Sequence, residues 1–323
     1  MYIKKILQSP ISFLLLLLLI ITSFVFFFNV FPGEDSSILQ VHFIDVGQGD
    51  SILIQTPGKQ NILIDGGEKN QGAYLQSYLQ KQGVKHLHMV IATHPHADHI
   101  GGLVQVLANF PTDTVYLPPV THTTRTFEDL LSTIEQENIP LSPPPSSEPI
   151  LFEKDLALEF LSPQRDFQDH LNDWSIVLKL TYDNHRFLFT GDIEGAAETA
   201  LIQDYSRDRL DADVLKVSHH GSSTSSSLSF LEAVSPQVSV ISSGKENPYG
   251  HPHKETLERL LQFSPNLYRT DLQGTVLINS DGVELWSPLA PLPAAGLDAS
   301  SGRTLMRFLS EILLKDRIRP LFT

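Results

Sequence analysis

The stretch Thr93-His94-Pro95-His96-Ala97-Asp98-His99-Ile100-Gly101-Gly102 places three imidazoles and one carboxylate within six consecutive positions. It follows an apolar run, Leu87 to Ala92, that reads as a buried strand. Histidine and aspartate are ligands that zinc, manganese and iron favour. The bland alternative is a set of strand-end residues that satisfy one another. It would crowd imidazoles that lose hydration on burial and repel once charged. The stretch is therefore read as metal-binding. His94 and His96 lie two apart on an extended segment, and Asp98 and His99 follow at a turn where they can face an adjacent centre. Gly101 and Gly102 permit a close backbone approach.

Three later blocks extend the set. Phe189-Thr190-Gly191-Asp192-Ile193-Glu194 ends an apolar strand and delivers Asp192 into a turn. An aspartate there could merely cap the helix predicted over 196–205, but beside the first motif it reads as a ligand. Glu194 reads as a first-turn charge. Lys216-Val217-Ser218-His219-His220-Gly221-Ser222 carries tandem histidines before glycine. One can ligate while its neighbour donates to substrate or holds a ligand in place; His220 is favoured as the ligand and His219 as the neighbour, with the reverse left open. Ser222, Ser225 and Lys216 could meet phosphate oxygens, or serve as turn caps and a solvated lysine. Asn247-Pro248-Tyr249-Gly250-His251-Pro252 fixes a turn around His251, assigned to the centre of Asp98 and His99 rather than to a surface loop. His253 falls one step too far round and reads as external.

The chain has 323 residues, room for one large domain or two modest ones, and no cysteine, so thiolate ligands and disulfides are excluded. A net charge of −14 argues against tight non-specific nucleic-acid binding. Lys4 and Lys5 precede a nearly continuous apolar stretch of 21 residues, Ile11 to Phe31. As a helix it would rise about 31 Å, one hydrocarbon core. Residues 1–32 are read as an uncleaved signal anchor, a single transmembrane pass with the remainder outside the cytoplasm. The alternative is a removed signal peptide and a secreted protein. The folded domain is expected over 38–288. A Pro- and Ala-rich linker and a terminal helix at Thr304–Lys315 make up 289–323. Between these limits short strands and helices alternate in two similar halves, a layered α/β pattern.

Together these blocks resemble the metallo-β-lactamase-fold hydrolases, and within them the extracytoplasmic domain of ComEC-type competence proteins. The pieces that carry the resemblance are Phe43-Ile44-Asp45-Val46-Gly47-Gln48-Gly49-Asp50-Ser51, Ile64-Asp65-Gly66-Gly67, Thr93 to Gly102, Ser175-Ile176-Val177-Leu178, Gly191-Asp192, Ser218 to Ser222, Asn247 to Pro252 and Tyr268-Arg269-Thr270-Asp271. The resemblance implies a four-layer αβ/βα sandwich with two divalent metal ions, zinc or manganese, held between the sheets. It implies that Asp192 bridges them and that Asn247 and Thr270 line the pocket. Where many such enzymes carry a further histidine, this chain has Asn172-Asp173-Trp174-Ser175, and the nearby His170 is out of position, so the first metal takes His220 or is weakly held. The expected activity is hydrolysis of a phosphodiester, DNA or a cell-envelope polymer, with Asp98, His219 and Lys216 catalytic. The alternatives are an ester, thioester or lactam hydrolase and a non-catalytic, membrane-tethered surface-binding protein.

Overall fold

The computed structural model describes residues 38–145, 148–153 and 155–293, together with Leu17, Leu18 and Thr22. Apart from those three residues, the segment read as an anchor lies outside the described residues, as does the helix expected at Thr304–Lys315. Among the described residues no helix is long and apolar enough to cross a membrane. The chain divides between Ser37 and Ile38 into two units, and among the described residues every strand belongs to the second.

The strands are β1 (Leu39–Phe43), β2 (Ile52–Gln55), β3 (Asn61–Ile64), β4 (Met89–Ile91), β5 (Val115–Tyr116), β6 (Leu141–Ser142), β7 (Ile150–Glu153), β8 (Leu156–Ser162), β9 (Val177–Tyr182), β10 (His185–Phe189), β11 (Val214–Lys216), β12 (Val238–Ile241), β13 (Asn266–Arg269), β14 (Val276–Ser280) and β15 (Leu285–Trp286). They form an eight-stranded sheet, β15-β14-β1-β2-β3-β4-β5-β6, and a seven-stranded sheet, β13-β12-β11-β10-β9-β8-β7.

Strand periodicity sets the layers. In β1, Leu39, Val41 and Phe43 point to one face, where they meet Ile54, Ile64 and Ile91 of their own sheet and Leu158, Phe160, Leu178, Phe187 and Phe189 of the other. Each such phenylalanine, removed from water, contributes about 1.5–3 kcal/mol. On the outer face of the first sheet, Leu53, Leu63 and Val90 pack against Leu75 and Leu79 of the helix Gly72–Lys81 and against the helices Leu103–Leu107 and Arg125–Gln136. On the outer face of the second, Leu188, Leu215 and Ile241 pack against the helices Gly195–Asp204, Leu228–Val234 and Lys254–Phe263. The order is helix, sheet, sheet, helix.

The halves are less independent than the sequence suggests. The closing hairpin β14–β15 leaves the second half and pairs antiparallel with β1, Val41 opposite Ile278. Strands β6, β7 and β13 carry no clear sequence signal. The first is a two-residue strand beside a proline run, the second a half-exposed strand of four residues, and β13 follows Ser264-Pro265 with a polar start. Strands β3 to β6 run parallel, as do β10 to β13. Their C-terminal ends meet at one edge, the crevice where ligands bind in α/β sheets.

Candidate metal centre

Each chemically marked loop leaves the C-terminal end of one of these parallel strands. Asp65 follows β3, His94 to His99 follow β4, Asp192 follows β10, His219 and His220 follow β11, and His251 lies in the loop after β12. Gly49 lets the first sheet close on this edge: at φ +123° it has no room for a Cβ, which would sit 2.1 Å from the Asp98 carbonyl oxygen. The neighbouring Asp50 N–H donates to that same oxygen at 3.2 Å.

The imidazoles are aimed by their second nitrogens. His99 is fully buried and donates from Nδ1 to Asp65 Oδ2 at 2.8 Å. Asp65 also accepts the Thr93 N–H and hydroxyl at 2.8 and 2.7 Å. His220 donates from Nδ1 to the Ser242 carbonyl at 3.0 Å. Both His219 and His220 sit in the left-handed region, at φ 47° and 53°, a local strain that brings the tandem rings to one loop edge. His94 Nδ1 lies 3.1 Å from Thr93 Oγ1 and 3.2 Å from Ser175 Oγ, and its Nε2 lies 3.0 Å from His96 Nδ1.

Asp192 occupies the middle. Its Oδ2 is 3.1 Å from His99 Nε2 and 3.2 Å from His220 Nε2. Its backbone N–H donates to Ser175 Oγ at 3.0 Å. Asp98 Oδ2 lies 3.3 Å from His220 Nε2 and 3.9 Å from His99 Nε2. Four overlapping sets thus have ligand atoms within 4.8 Å of one another: His94, His99 and Asp192; Asp98, His99 and His220; Asp50, Asp192 and His220; Asp50, Asp65 and His99.

The donor set fits divalent cations. The buried atoms His99 Nε2, His220 Nε2, His251 Nδ1 and Asp192 Oδ1 have no hydrogen-bond partner, an expensive condition for polar atoms. Burial opposes charge on His99 and His220, yet the Asp192 carboxylate and its acidic neighbours outweigh it and push both imidazoles well above their usual range. Asp192 is held well below the carboxylate range against its own burial by His220, His99 and Lys216. The protons so held are the charges a cation would displace on binding.

Among the residues singled out from sequence, the structure brings together His94, His96, Asp98, His99, Asp192 and His220. His251 stands at the rim, its ring 5.4 Å from that of His219 and 6.1 Å from that of His220. Burial pushes its pKa down to about 4. His170 is exposed and apart. Several assigned roles need correction. The Lys216 side chain is 0% exposed; its ammonium pairs with Asp50 and donates to the Gly191 carbonyl, so it faces no phosphate oxygen. Ser225 spends its hydroxyl on the Ser218 and Ser222 carbonyls, and Ser222 bonds Thr224. Thr270 is buried and exchanges hydrogen bonds with Ser243. Asn247 spends its amide within its own turn. Glu194 is more than a first-turn charge: it accepts from His219 Nδ1 at 2.9 Å and from the Thr224 hydroxyl at 2.7 Å. His253, read as external, accepts the Ser223 N–H at 2.9 Å.

Asp50, Asp65 and Ser175 were missed as site residues. Each lies in a glycine-rich or polar turn remote in sequence from the histidines, and the hints to a role are its place at a strand end and in a stretch that carries the resemblance.

Residues 44–245 match the family described as the Metallo-beta-lactamase superfamily. Over 254 residues the chain is 31% identical to ComE operon protein 3 of Bacillus subtilis (strain 168), an alignment covering 73% of this chain and 32% of that protein. It is 31% identical over 245 residues to Recombination protein 2 of Haemophilus influenzae, covering 74% of this chain and 29% of that protein. The chain thus spans about a third of the length of these curated relatives. A crystal structure described as a new diphosphatase from the PhnP family aligns at a TM-score of 0.45 and 15% identity, over 75% of this chain and 98% of that one.

Proposed function

The chain belongs to the metallo-beta-lactamase superfamily of hydrolases, and we propose that it is a metal-dependent phosphodiesterase acting outside the cytoplasm on DNA or a cell-envelope phosphodiester. The observation that carries metal-dependent hydrolysis is the Asp192 carboxylate set between two buried imidazole nitrogens, His99 Nε2 and His220 Nε2, neither of which has a hydrogen-bond partner. The phosphodiester is favoured by the relatives, one of which is named for recombination, a transaction of nucleic acid.

In this proposal His94 and His96 would hold one divalent cation and Asp98, His99 and His220 a second, which moves His220 from the first centre to the second and His251 to the rim, with the Asp192 carboxylate available to both. Zinc or manganese bound there would lower the pKa of a water and neutralise charge on phosphoryl oxygens. The chain's own residues set the geometry. Asp65 and the Ser242 carbonyl fix the tautomers of His99 and His220, so that each presents Nε2. Lys216 offsets the charge of Asp50 beneath the centre. Glu194 accepts from His219 Nδ1 and leaves Nε2 3.9 Å from Asp192 Oδ2; only as an imidazolium would the ring carry a second proton, on Nε2, to hand to the leaving oxygen. Residues 1–32, with Lys4 and Lys5 before the apolar stretch, are proposed as the anchor that keeps this domain outside.

The test is turnover by the full chain, purified in detergent and loaded with zinc or manganese. Substrates are bis-p-nitrophenyl phosphate, single- and double-stranded DNA, a thioester and a lactam reporter. Metal-dependent cleavage of the diesters is expected. Activity confined to the thioester or lactam would replace the phosphodiesterase with a carbonyl hydrolase, and no turnover of any substrate would end the proposal. Alkaline extraction of membranes tests the anchor: the chain should stay in the pellet.

A further inference from the structure

Tyr249 combines a pinned backbone with an open ring. Asn247 Oδ1 accepts its N–H at 3.2 Å and the His251 N–H at 3.0 Å, and Asn247 Nδ2 donates to the Gly244 and His251 carbonyls. From the other side His253 donates from Nε2 to the Tyr249 carbonyl at 3.1 Å, while its Nδ1 accepts from Ser223. The main chain is thus fixed to the loop that carries His219 and His220. The side chain nevertheless remains 63% exposed. Its ring lies nearly parallel to that of His251, 23° between planes and 5.6 Å between centroids. An isolated exposed aromatic residue is ordinary on a protein surface. One held rigid and stacked on an imidazole at the rim of a reaction centre is a surface prepared for another flat ring.

We propose that Tyr249 is a stacking platform for a nucleobase, which makes nucleotidyl phosphodiesters the preferred substrate class; this rests on the phosphodiesterase proposal above. Charge sets a condition on it: a net −14 argues against tight binding through backbone neutralisation, so affinity for a nucleic-acid strand has to come from other contacts. Stacking provides such a contact and tolerates any base, because every base offers a π-face.

The experiment compares thymidine 5′-monophosphate with methyl phosphate, which share the phosphate and differ in the nucleoside. Binding of each to the metal-loaded full chain is measured by titration calorimetry for wild type, Tyr249→Phe, Tyr249→Leu and Tyr249→Ala. Wild type and Tyr249→Phe should favour the nucleotide by about five- to a hundredfold. Tyr249→Leu and Tyr249→Ala should lose that advantage and keep the methyl phosphate affinity, which shows that the centre is intact. Equal affinity for both ligands in wild type, or an advantage that survives Tyr249→Ala, overturns the platform. Turnover of bis-p-nitrophenyl phosphate is read separately on the same preparations. Its absence alongside a tyrosine-dependent nucleotide preference would sink the phosphodiesterase and leave the platform standing.

Discussion

Among the described residues histidine and aspartate gather in two places, at the surface of the first sheet and where loops of both sheets meet around Asp192, and only the second has the makings of a metal centre. His86, His88 and Asp113 meet at the surface with ligand atoms within 4.8 Å, as close as those around Asp192. Yet His86 Nε2 is committed to Asp113 Oδ1 at 2.8 Å, with the two side chains 37% and 57% exposed. His88 Nδ1 accepts the Asn61 N–H at 3.0 Å, which leaves the proton of a neutral ring on Nε2. Around Asp192 the rings donate from Nδ1 and the buried Nε2 atoms are left over. Residue type and proximity are shared by the two clusters. What differs is that the His88 lone pair is spent on Asn61 and that water can reach the surface cluster.

The largest effect that would break this contrast is at Asp192. Asp192→Ala should cost at least about a hundredfold in metal affinity and more in turnover, since it removes the carboxylate proposed to serve both cations. Metal stoichiometry after dialysis checks this, and a full complement of tightly held metal would contradict the shared role. A second test concerns a third kind of histidine, buried without a carboxylate partner. His42 lies on β1 with Nδ1 at 2.8 Å from the Tyr78 hydroxyl and Nε2 unpartnered. Burial lowers its pKa from 6.5 to about 4. The unfolded chain therefore takes up the proton first as pH falls. Stability contributed by the neutral ring is whole above pH 6.5 and drains away towards pH 4, by about 3 kcal/mol in all. His42→Gln should flatten that part of the unfolding free energy against pH. A wild-type curve and a variant curve that run parallel from pH 7 to 4 would refute it.

The same distinction explains what could be read in the chain beforehand. Consecutive ligands such as His94, His96, Asp98 and His99 declare themselves, because a strand followed by glycine explains both their spacing and their convergence. Asp192 and His220 were legible through strand-end position. What failed was the prediction of how polar side chains are spent. Lys216 looks like a phosphate contact until its burial against Asp50 is known. Glu194 looks like a helix charge until its bond to His219 is seen. Hydrogen-bond partners distant in sequence, such as Asp65 and His99 or Ser175 and Asp192, leave no periodic trace. The crossing of β14 to β1 is hidden for the same reason: the strand pattern gives a hairpin but not its partner.

Asp65 sharpens the comparison at smaller scale, since it is the residue that spends the Nδ1 proton of His99 and thereby frees Nε2. Asp65→Asn keeps the shape and removes the charge. Loss of an outer carboxylate of this kind typically costs ten- to a hundredfold in metal affinity, so about that loss is expected, with the fold retained. Competition with a chromophoric chelator measures it. Unchanged affinity would mean that His99 is oriented by packing alone.

The smallest expected effect is the one that protects the contrast from the other side. Replacing both His86 and His88 with alanine removes the surface cluster as a metal site while leaving the buried one untouched. The His86–Asp113 pair is exposed and worth no more than about 1 kcal/mol. The Asn61 N–H loses its acceptor at His88, a cost of a similar order. Metal stoichiometry, and any metal-dependent turnover of bis-p-nitrophenyl phosphate, should equal those of the wild type, with only a modest drop in unfolding temperature. If the doubly substituted chain instead bound one ion fewer, spent lone pairs would not have kept a cation from the surface, and orphaned nitrogen atoms would lose their value as the mark of a metal centre.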